Sequence, residues 1–229
     1  MSKRGGSHNL LYISSFKQAQ RIGGVNINEK DYDQLLRIKT TTMKEEPNQS
    51  IHYNHYEATP YSILNALFNE YVLKKSDGLV DFGCGKGRVM FYVHNRFNCR
   101  VTGIEMNEEL YLDTLANLAN YTRKIKKKSS PIRVERCYAE TYNIAETENK
   151  FYFFNPFSVQ IFRKVVENIL LSVEHQQRET DIILYYPSSE YLQYLETDTP
   201  FKLVQEVKIP KLYESNNNEH FLIFRIGND

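Results

Sequence analysis

The chain has 229 residues, of which 29 are Lys or Arg and 28 are Asp or Glu, so its formal net charge is +1 at pH 7. This balance gives no overall attraction to nucleic acid or to an anionic membrane. No apolar run approaches the roughly 20 residues of a membrane span, and the polar start 1–6 lacks the apolar core of a signal peptide. Since Cys84, Cys99 and Cys137 form no C-x-x-C pair, we expect a soluble, cytoplasmic protein.

The first 50 residues are polar and are interrupted by Gly5-Gly6 and Gly23-Gly24. Apolar residues predict one short helix over 10–19 and a second helix over 29–42, and residues 43–50 are typical of a linker. We interpret residues 1–50 as a helical extension that packs on or covers a main domain at 51–229. A partly ordered tail is the alternative.

A helix is predicted after the loop that contains Tyr56. Thr59 and Pro60 are typical of an N-cap followed by the first helical residue. The apolar residues from 63 to 72 then recur at helical spacing. The loop should therefore lie at the N-terminal end of this helix.

Strands and helices alternate from residue 78 onward. Strands are predicted over 78–82, 99–104, 132–136, 150–154 and 181–186, and helices over 88–97, 107–126, 159–175 and 189–195. In the helix over 107–126, the side chains expected to face the core are those of Leu110, Leu112, Leu115, Leu118 and Ala119. The runs 201–209 and 220–226 flank a polar loop and predict an antiparallel hairpin. The fold class is therefore α/β, a mostly parallel twisted sheet with helices on both faces, whose ligands bind beyond the carboxyl ends of the strands.

The first strand of this alternation ends in Asp81 and continues into Gly83, Gly85 and Gly87. Glycines permit a tight turn and a close approach of the backbone to a ligand, and the free N–H groups of the next helix favour an electron-rich ligand. The spacing is neither the G-x-G-x-x-G of dinucleotide turns nor that of a phosphate loop. Because an acid here would repel a pyrophosphate, Asp81 indicates a cofactor with a positive or amino-bearing portion.

Glu105 ends the second strand, 24 positions after Asp81. An acid at this place can accept hydrogen bonds from both ribose hydroxyls of an adenosine. The alternative is an acid that merely caps the next helix. The glycine turn at this spacing favours the ribose.

The run from Val80 to Gly87, taken with Gly103-Ile104-Glu105, resembles class I S-adenosylmethionine-dependent methyltransferases over residues 53–226. The resemblance implies a Rossmann-like seven-stranded sheet with an antiparallel C-terminal strand, the cofactor S-adenosylmethionine, and a glycine turn against its methionine part. It implies that Glu105 binds the ribose and that the adenine lies by residues 137–140, with Tyr138 where an Asp is common. The candidate cofactor residues are Tyr56, Thr59, Asp81, Phe82, Gly83, Cys84, Gly85, Gly87, Glu105, Met106, Tyr138, Ala139, Glu140 and Asn155.

Asn155-Pro156-Phe157 follows the fourth strand, where a substrate would meet the methyl group. The Asn amide oxygen can accept a hydrogen bond from an amine and orient its lone pair, and Phe157 would pack on the substrate. The alternative is a strand end with a proline stop. The motif is similar to the Asn-Pro-Pro-aromatic motif of amine and amide N-methyltransferases, but has one proline.

Two short motifs are similar to those of non-SET protein-lysine methyltransferases. They are Tyr56-x-x-Thr59, which in that family covers the cofactor, and Asn155-x-Phe157, whose Asn lines the acceptor channel. We therefore predict methyl transfer to nitrogen, with Asn155, Pro156 and Phe157 as catalytic residues and a protein lysine or small amine as acceptor. The alternatives are a nucleic-acid base amine, which the net charge does not support, and a cofactor-binding module without turnover.

Two further features are interpreted without a catalytic role. The basic run 124–128 is a solvated helix end that complements the helix dipole, with a phosphate contact as the alternative. His55 and His94 have no Cys or His partner at metal-ligand spacing, so no metal site is predicted.

Overall fold

The computed structural model describes residues 28–41, 56–123 and 131–227. The helices are α1 (Glu29–Leu36), α2 (Tyr61–Glu70), α3 (Arg88–Phe97), α4 (Glu108–Thr122), α5 (Val159–His175) and α6 (Ser189–Asp198). The strands are β1 (Gly78–Phe82), β2 (Arg100–Ile104), β3 (Ile132–Glu135), β4 (Lys150–Phe153), β5 (Thr180–Tyr185), β6 (Lys202–Lys208) and β7 (His220–Ile226). The predicted helix over 10–19, the linker 43–50, His55 and the basic run 124–128 lie outside the described residues.

The seven strands form one sheet in the order β3-β2-β1-β4-β5-β7-β6. Strands β1 to β5 pair in parallel, whereas β7 is antiparallel to both β5 and β6. The predicted mostly parallel sheet with an antiparallel C-terminal strand is thus confirmed. Because β1 pairs with β2 on one side and with β4 on the other, the strand order reverses at β1, and a ligand crevice is expected at its carboxyl end.

Strand β1 is buried on both faces, as a central parallel strand must be. Its side chains alternate between two cores: Leu79 packs in the cluster that includes α2 and α3, and Val80 and Phe82 pack in the cluster that includes α5. The side chain of Asp81 therefore points to the face that α2 and α3 cover.

Helix α4 presents the predicted face to the domain only in part, since Leu110 is buried and Leu118 packs against the core. Its buried residues are Leu110, Thr114, Asn117 and Tyr121, whereas Leu112 is 55% exposed and Ala119 is exposed. The apolar pattern was misleading because two polar residues of this face find partners inside. Thr114 Oγ1 donates to the Gly85 carbonyl, and Asn117 Nδ2 donates to the Lys86 carbonyl at 2.9 Å.

Two predictions near the N-terminus are also corrected. Helix α1 ends at Leu36, short of the predicted 42, because Arg37 takes a left-handed conformation with φ 60° that ends the helix. Helix α2 begins at Tyr61 with Pro60 as its N-cap and with no side-chain capping bond. Thr59 is not the cap, since its hydroxyl is hydrogen-bonded to the hydroxyl of Tyr152 at 2.8 Å.

None of the described helices is both long and apolar enough to cross a bilayer. His94 is buried, and its Nδ1 lies 2.8 Å from the Tyr121 hydroxyl. The described residues contain no cluster of three or more His, Cys, Asp or Glu side chains arranged to hold a metal ion.

Candidate functional site

The glycine turn after β1 is fixed to its two neighbouring strands. The backbone N–H groups of Gly83 and Cys84 donate to the Ile104 carbonyl at the end of β2, at 2.9 and 3.0 Å. On the other side, a Cβ added at Gly83 (φ 74°) would lie 2.7 Å from Cβ of Pro156. Only glycine allows this conformation together with this close approach. The turn therefore brings the residues after β4 against the end of β1.

Glu105 is buried and stabilises the same turn. Its Oε2 accepts a hydrogen bond from Gly85 N at 2.9 Å, and its Oε1 accepts one from Asn107 N at 2.8 Å. The side chain that caps α4 belongs to Asn107, which accepts from the N–H groups of Glu109 and Leu110. Glu105 is therefore not the helix cap that the alternative interpretation proposed, and its carboxylate lies against the glycine turn.

Asp81 is 3% exposed and lies near a second carboxylate. Burial raises the pKa of Asp81, and the negative charge of Glu105 raises it further, to about 8. Burial, followed by the charges of Asp81 and Glu105, also holds the pKa of the Cys84 thiol well above its ordinary value. Cys84 is therefore a neutral thiol and no nucleophile, whereas a positively charged group placed beside the two acids would be stabilised.

Tyr56 lies directly over the glycine turn. A Cβ at Gly85 (φ 54°) would overlap the Tyr56 ring, and the Tyr56 hydroxyl donates to the Thr40 carbonyl at 3.2 Å. Beneath the ring, a cavity of about 20 Å³ is lined by residues that include Asp81, Gly83 and Tyr152. A second cavity, of about 650 Å³, adjoins it, and Tyr56 lines both. The two cavities therefore meet at Tyr56, with Glu57, Ala58 and Arg88 also lining both.

Residues 28–41, which we call the N-terminal strap, pack on the domain beside this cavity. Buried Asp33 accepts hydrogen bonds from Thr40 Oγ1 and from the Tyr61 hydroxyl, both at 2.7 Å. The Asn117 amide oxygen accepts from Lys39 N at 2.8 Å. These bonds join the strap to α2 and α4 next to the turn. The division of the chain at residue 50 stays a prediction.

The residues after β4 and β5 have unusual backbone conformations. Asn155 has φ 41° and Tyr186 has φ 51°, and each lies two positions beyond Phe153↔Leu184, the last parallel pair of these strands. A non-glycine residue with positive φ costs free energy, and such residues cluster at functional sites. Asn155 is half-buried at this edge, where the acceptor was predicted.

Two predicted site residues direct their side chains into the core instead. Phe157 is 1% exposed, its ring lies edge-on to Phe153, and its carbonyl accepts from the Tyr191 hydroxyl. Phe82 stacks on Phe153, with ring centroids 5.1 Å apart. Their rings are therefore unable to contact a ligand in this conformation, whereas half-buried Phe154, like Tyr56 and Tyr152, lines the small cavity.

The predicted adenine-binding residues follow β2 and β3. Tyr138 is 56% exposed, Ala139 is buried, and Met106 and Glu140 are half-buried. The Glu140 carbonyl accepts from Asn168 Nδ2 at 2.9 Å, which anchors the short 3-10 helix Ala139–Thr141 to α5. The role of these residues in binding adenine stays a prediction.

The residues that line the small cavity include several that the sequence interpretation missed, among them Tyr152 and Arg88. Tyr152 is a strand residue among apolar neighbours, and Arg88 follows the glycines as the first residue of α3. The only signal in the sequence was that each residue carries a polar group at a position expected to be buried. These polar groups matter because they meet the loop at 56–59, which is distant from both residues in sequence.

No protein-family model matches the sequence, and no curated protein matches it. Solved structures do resemble the fold. A precorrin-6y C5,15-methyltransferase from Geobacter metallireducens has a TM-score of 0.54 and 13% identity, over 77% of this chain and 93% of that one. An RNA methyltransferase from Salinibacter ruber, in complex with S-adenosylhomocysteine, has a TM-score of 0.51 and 13% identity, over 76% of this chain and 95% of that one.

A third structure is longer than this chain. It is a tRNA (uracil-54, C5)-methyltransferase from Pyrococcus abyssi in complex with S-adenosylhomocysteine, with a TM-score of 0.52 and 12% identity over 75% of this chain. The match spans only 40% of that protein. At these identities the likeness is one of fold: the chain has the Rossmann-like fold of S-adenosylmethionine-dependent methyltransferases.

Proposed function

We propose that this protein is an S-adenosylmethionine-dependent methyltransferase. The observation that carries the proposal is the buried pair Asp81 and Glu105 around the glycine turn, at the point where the strand order reverses. Two buried carboxylates, of which one raises the pKa of the other, suit a cofactor that is itself positively charged. Solved structures with this fold include methyltransferases in complex with S-adenosylhomocysteine.

The residues present fit this cofactor. Asp81 and the turn would hold its methionine part, Glu105 its ribose, and the crevice beside Met106 and Tyr138 its adenine. The space that a Cβ at Gly85 would fill is taken by the Tyr56 ring. The bound cofactor supplies an activated methyl group on a sulfonium. Since the cavity over the turn measures about 20 Å³, the Tyr56 ring must move aside to admit it.

Asn155 has the chemistry to align a nitrogen acceptor. Its amide oxygen can accept a hydrogen bond from an amine N–H, which leaves the nitrogen lone pair directed away from that bond and toward the methyl group. Pro156 packs against Gly83, so Asn155 is adjacent to the turn that would hold the methionine part. The chain contributes alignment and a hydrogen-bond acceptor, and the acceptor proton passes to solvent.

For the acceptor, we favour an amine of an RNA base over the protein lysine predicted from the sequence. RNA or tRNA methyltransferases are among the similar structures, and the lysine specificity gains no support from them. Phe154 and Tyr186, both half-buried, directly follow β4 and β5, at the same edge of the sheet as Asn155. Aromatic rings at this place are suited to stack on an unpaired base.

Transfer of a labelled methyl group separates these functions. The purified protein is incubated with methyl-labelled cofactor and a host lysate, and the products are digested with nuclease or with protease. We expect the labelled methyl group to be released by nuclease digestion. Label that only protease releases would support the lysine acceptor, and binding of S-adenosylhomocysteine without transfer would support a non-catalytic module.

Asn155→Ala is the matched variant for this assay. We expect it to abolish transfer and to leave the affinity for S-adenosylhomocysteine within about twofold, because the lost hydrogen bond is made to the acceptor. Loss of both properties together would assign Asn155 a structural role.

A further inference from the structure

Arg88 is a buried cation that the proposed function leaves without a role. It is the first residue of α3, directly after the glycine turn, and it is 5% exposed. Its side chain lines both the small cavity over the turn and the larger cavity beside the strap. A buried charge requires compensation by partners or by a ligand.

The partners of Arg88 hold its guanidinium in one orientation. Nε donates to Thr40 Oγ1 at 2.7 Å, and Nη1 donates to the Thr59 carbonyl at 3.3 Å and to the Glu29 carboxylate. The guanidinium also lies over the Tyr61 ring, 4.6 Å from its centroid. Among the described residues, Nη2 has no hydrogen-bond partner. The group is therefore fixed in place with donor capacity remaining.

The small cavity thus has opposite charges in its lining, the acids Asp81 and Glu57 and the base Arg88. An α-amino acid carries an ammonium group and a carboxylate on the same carbon, which is the complementary arrangement. We propose that Arg88 binds the α-carboxylate of the cofactor's methionine part while Asp81 faces its α-ammonium group. This inference rests on the proposed function, because it names the part of the cofactor that Arg88 recognises.

The other basic side chains near the turn are less suitable. The Lys86 ammonium group is paired with Asp113 at 3.3 Å, and Lys86 lines neither cavity. Lys30 lines only the larger cavity and is exposed. The planar fork of Arg88 also matches a carboxylate better than an ammonium group does.

The competing explanation is that Arg88 only anchors the strap through Glu29 and Thr40. The two roles predict different responses to a ligand that lacks the carboxylate. Decarboxylated S-adenosylmethionine keeps the adenosine, the sulfonium and the amine. A purely structural Arg88 would affect this ligand and S-adenosylmethionine equally.

The experiment measures, by calorimetry, the affinities of both ligands for the wild type, Arg88→Gln and Glu29→Gln. We expect Arg88→Gln to weaken S-adenosylmethionine by at least about tenfold, as for a lost charge-assisted hydrogen bond, and the decarboxylated ligand by less than about twofold. Glu29→Gln removes the strap ion pair and should leave the ratio of the two affinities at its wild-type value. Arg88→Lys, which keeps the charge but loses the fork, should give an intermediate ratio.

Equal weakening of both ligands by Arg88→Gln overturns the assignment and leaves the proposed function intact. A wild type that binds neither ligand overturns the proposed function and the assignment with it. If Arg88→Gln is unfolded at the assay temperature, the Arg88→Lys variant tests the proposal instead. A ratio of the two affinities that is the same in Arg88→Lys as in the wild type contradicts the proposal.

Discussion

The two ends of the sheet each bury an aspartate, but they treat its charge in opposite ways. At the amino end, Asp181 is fully buried and is bound by Lys150 Nζ at 2.8 Å, by Arg225 Nε at 2.7 Å and by the Tyr71 hydroxyl. At the carboxyl end, buried Asp81 has the acid Glu105 as its charged neighbour. Burial alone therefore does not distinguish a structural acid from a functional one.

The pKa values show the difference. Burial would raise the pKa of Asp181, but the hydrogen bond from Arg225 and the charge and hydrogen bond of Lys150 outweigh it and hold that pKa below its ordinary value. The pKa of Asp81 is raised to about 8 by burial and by Glu105. A buried acid with a raised pKa in a crevice is the more informative sign of a ligand site.

The largest effect is expected at the amino end. Asp181→Asn leaves Lys150 and Arg225 without their buried counter-charge and should lower the free energy of unfolding by about 3–5 kcal/mol. Cofactor affinity should be unchanged in the protein that remains folded. Denaturant unfolding checks the first expectation and calorimetry the second. A loss below about 1 kcal/mol would show that the network contributes little to stability.

The next largest effect is expected at Glu105. Glu105→Ala removes the carboxylate that holds Gly85 N and that would bind the ribose, so cofactor affinity should fall at least tenfold, by about 1.5–3 kcal/mol. Glu179→Ala, which alters the amino-end network through Lys150 and Arg225, is the matched control and should not change the affinity. Unchanged binding by Glu105→Ala, measured by calorimetry, would remove Glu105 from the cofactor site.

A smaller and pH-dependent effect is expected for Asp81. The folded-state pKa of Asp81 lies above its ordinary value, so between about pH 4 and pH 8 the folded protein keeps a proton that the unfolded chain has lost. Asp81 therefore lowers the free energy of unfolding more and more as the pH rises through that window. Relative to the wild type, Asp81→Asn should therefore gain about 1–2 kcal/mol of stability between pH 5 and pH 6. Unfolding curves at the two values test this, and a relative stability that is the same at both would contradict the raised pKa.

The opposite pH dependence is expected of Asp181, which completes the comparison. Because the pKa of Asp181 is lowered, its charged side chain stabilises the folded protein at neutral pH. This stabilisation is lost as the pH falls through the folded-state pKa. The difference between the wild type and Asp181→Asn should therefore shrink in acid, which the same unfolding series measures.

The smallest effect concerns Tyr56. Tyr56→Phe removes the hydrogen bond to the Thr40 carbonyl that holds the ring over the turn, a bond of about 0.5–1 kcal/mol. Because the ring must move to admit a cofactor, we expect affinity to rise about two- to fivefold. Tyr92→Phe removes a hydroxyl bonded to Asn65, outside the crevice, and is the control. Weaker binding by Tyr56→Phe alone would show that the hydroxyl contacts the cofactor.

The sequence by itself determined the elements and the centre of the site. The alternation of strands and helices, the C-terminal hairpin, and the glycines between Asp81 and Glu105 are local signals, because each depends on backbone conformation or side-chain periodicity within a few residues. Neighbouring parallel strands have their carboxyl ends at the same edge of the sheet. The sequence therefore sufficed to assign Asp81 and Glu105 to one site before their contacts were known.

Only the tertiary structure decided the direction of individual side chains. Thr59 binds Tyr152 instead of capping α2, Phe157 turns into the core, and α4 buries Thr114 and Asn117 because the turn and the strap offer them partners. Arg88 and Tyr56 gain their importance from segments distant in sequence that meet over Gly85. Such contacts follow from packing and from the need to satisfy buried polar groups, neither of which is encoded in the spacing of residues along the chain.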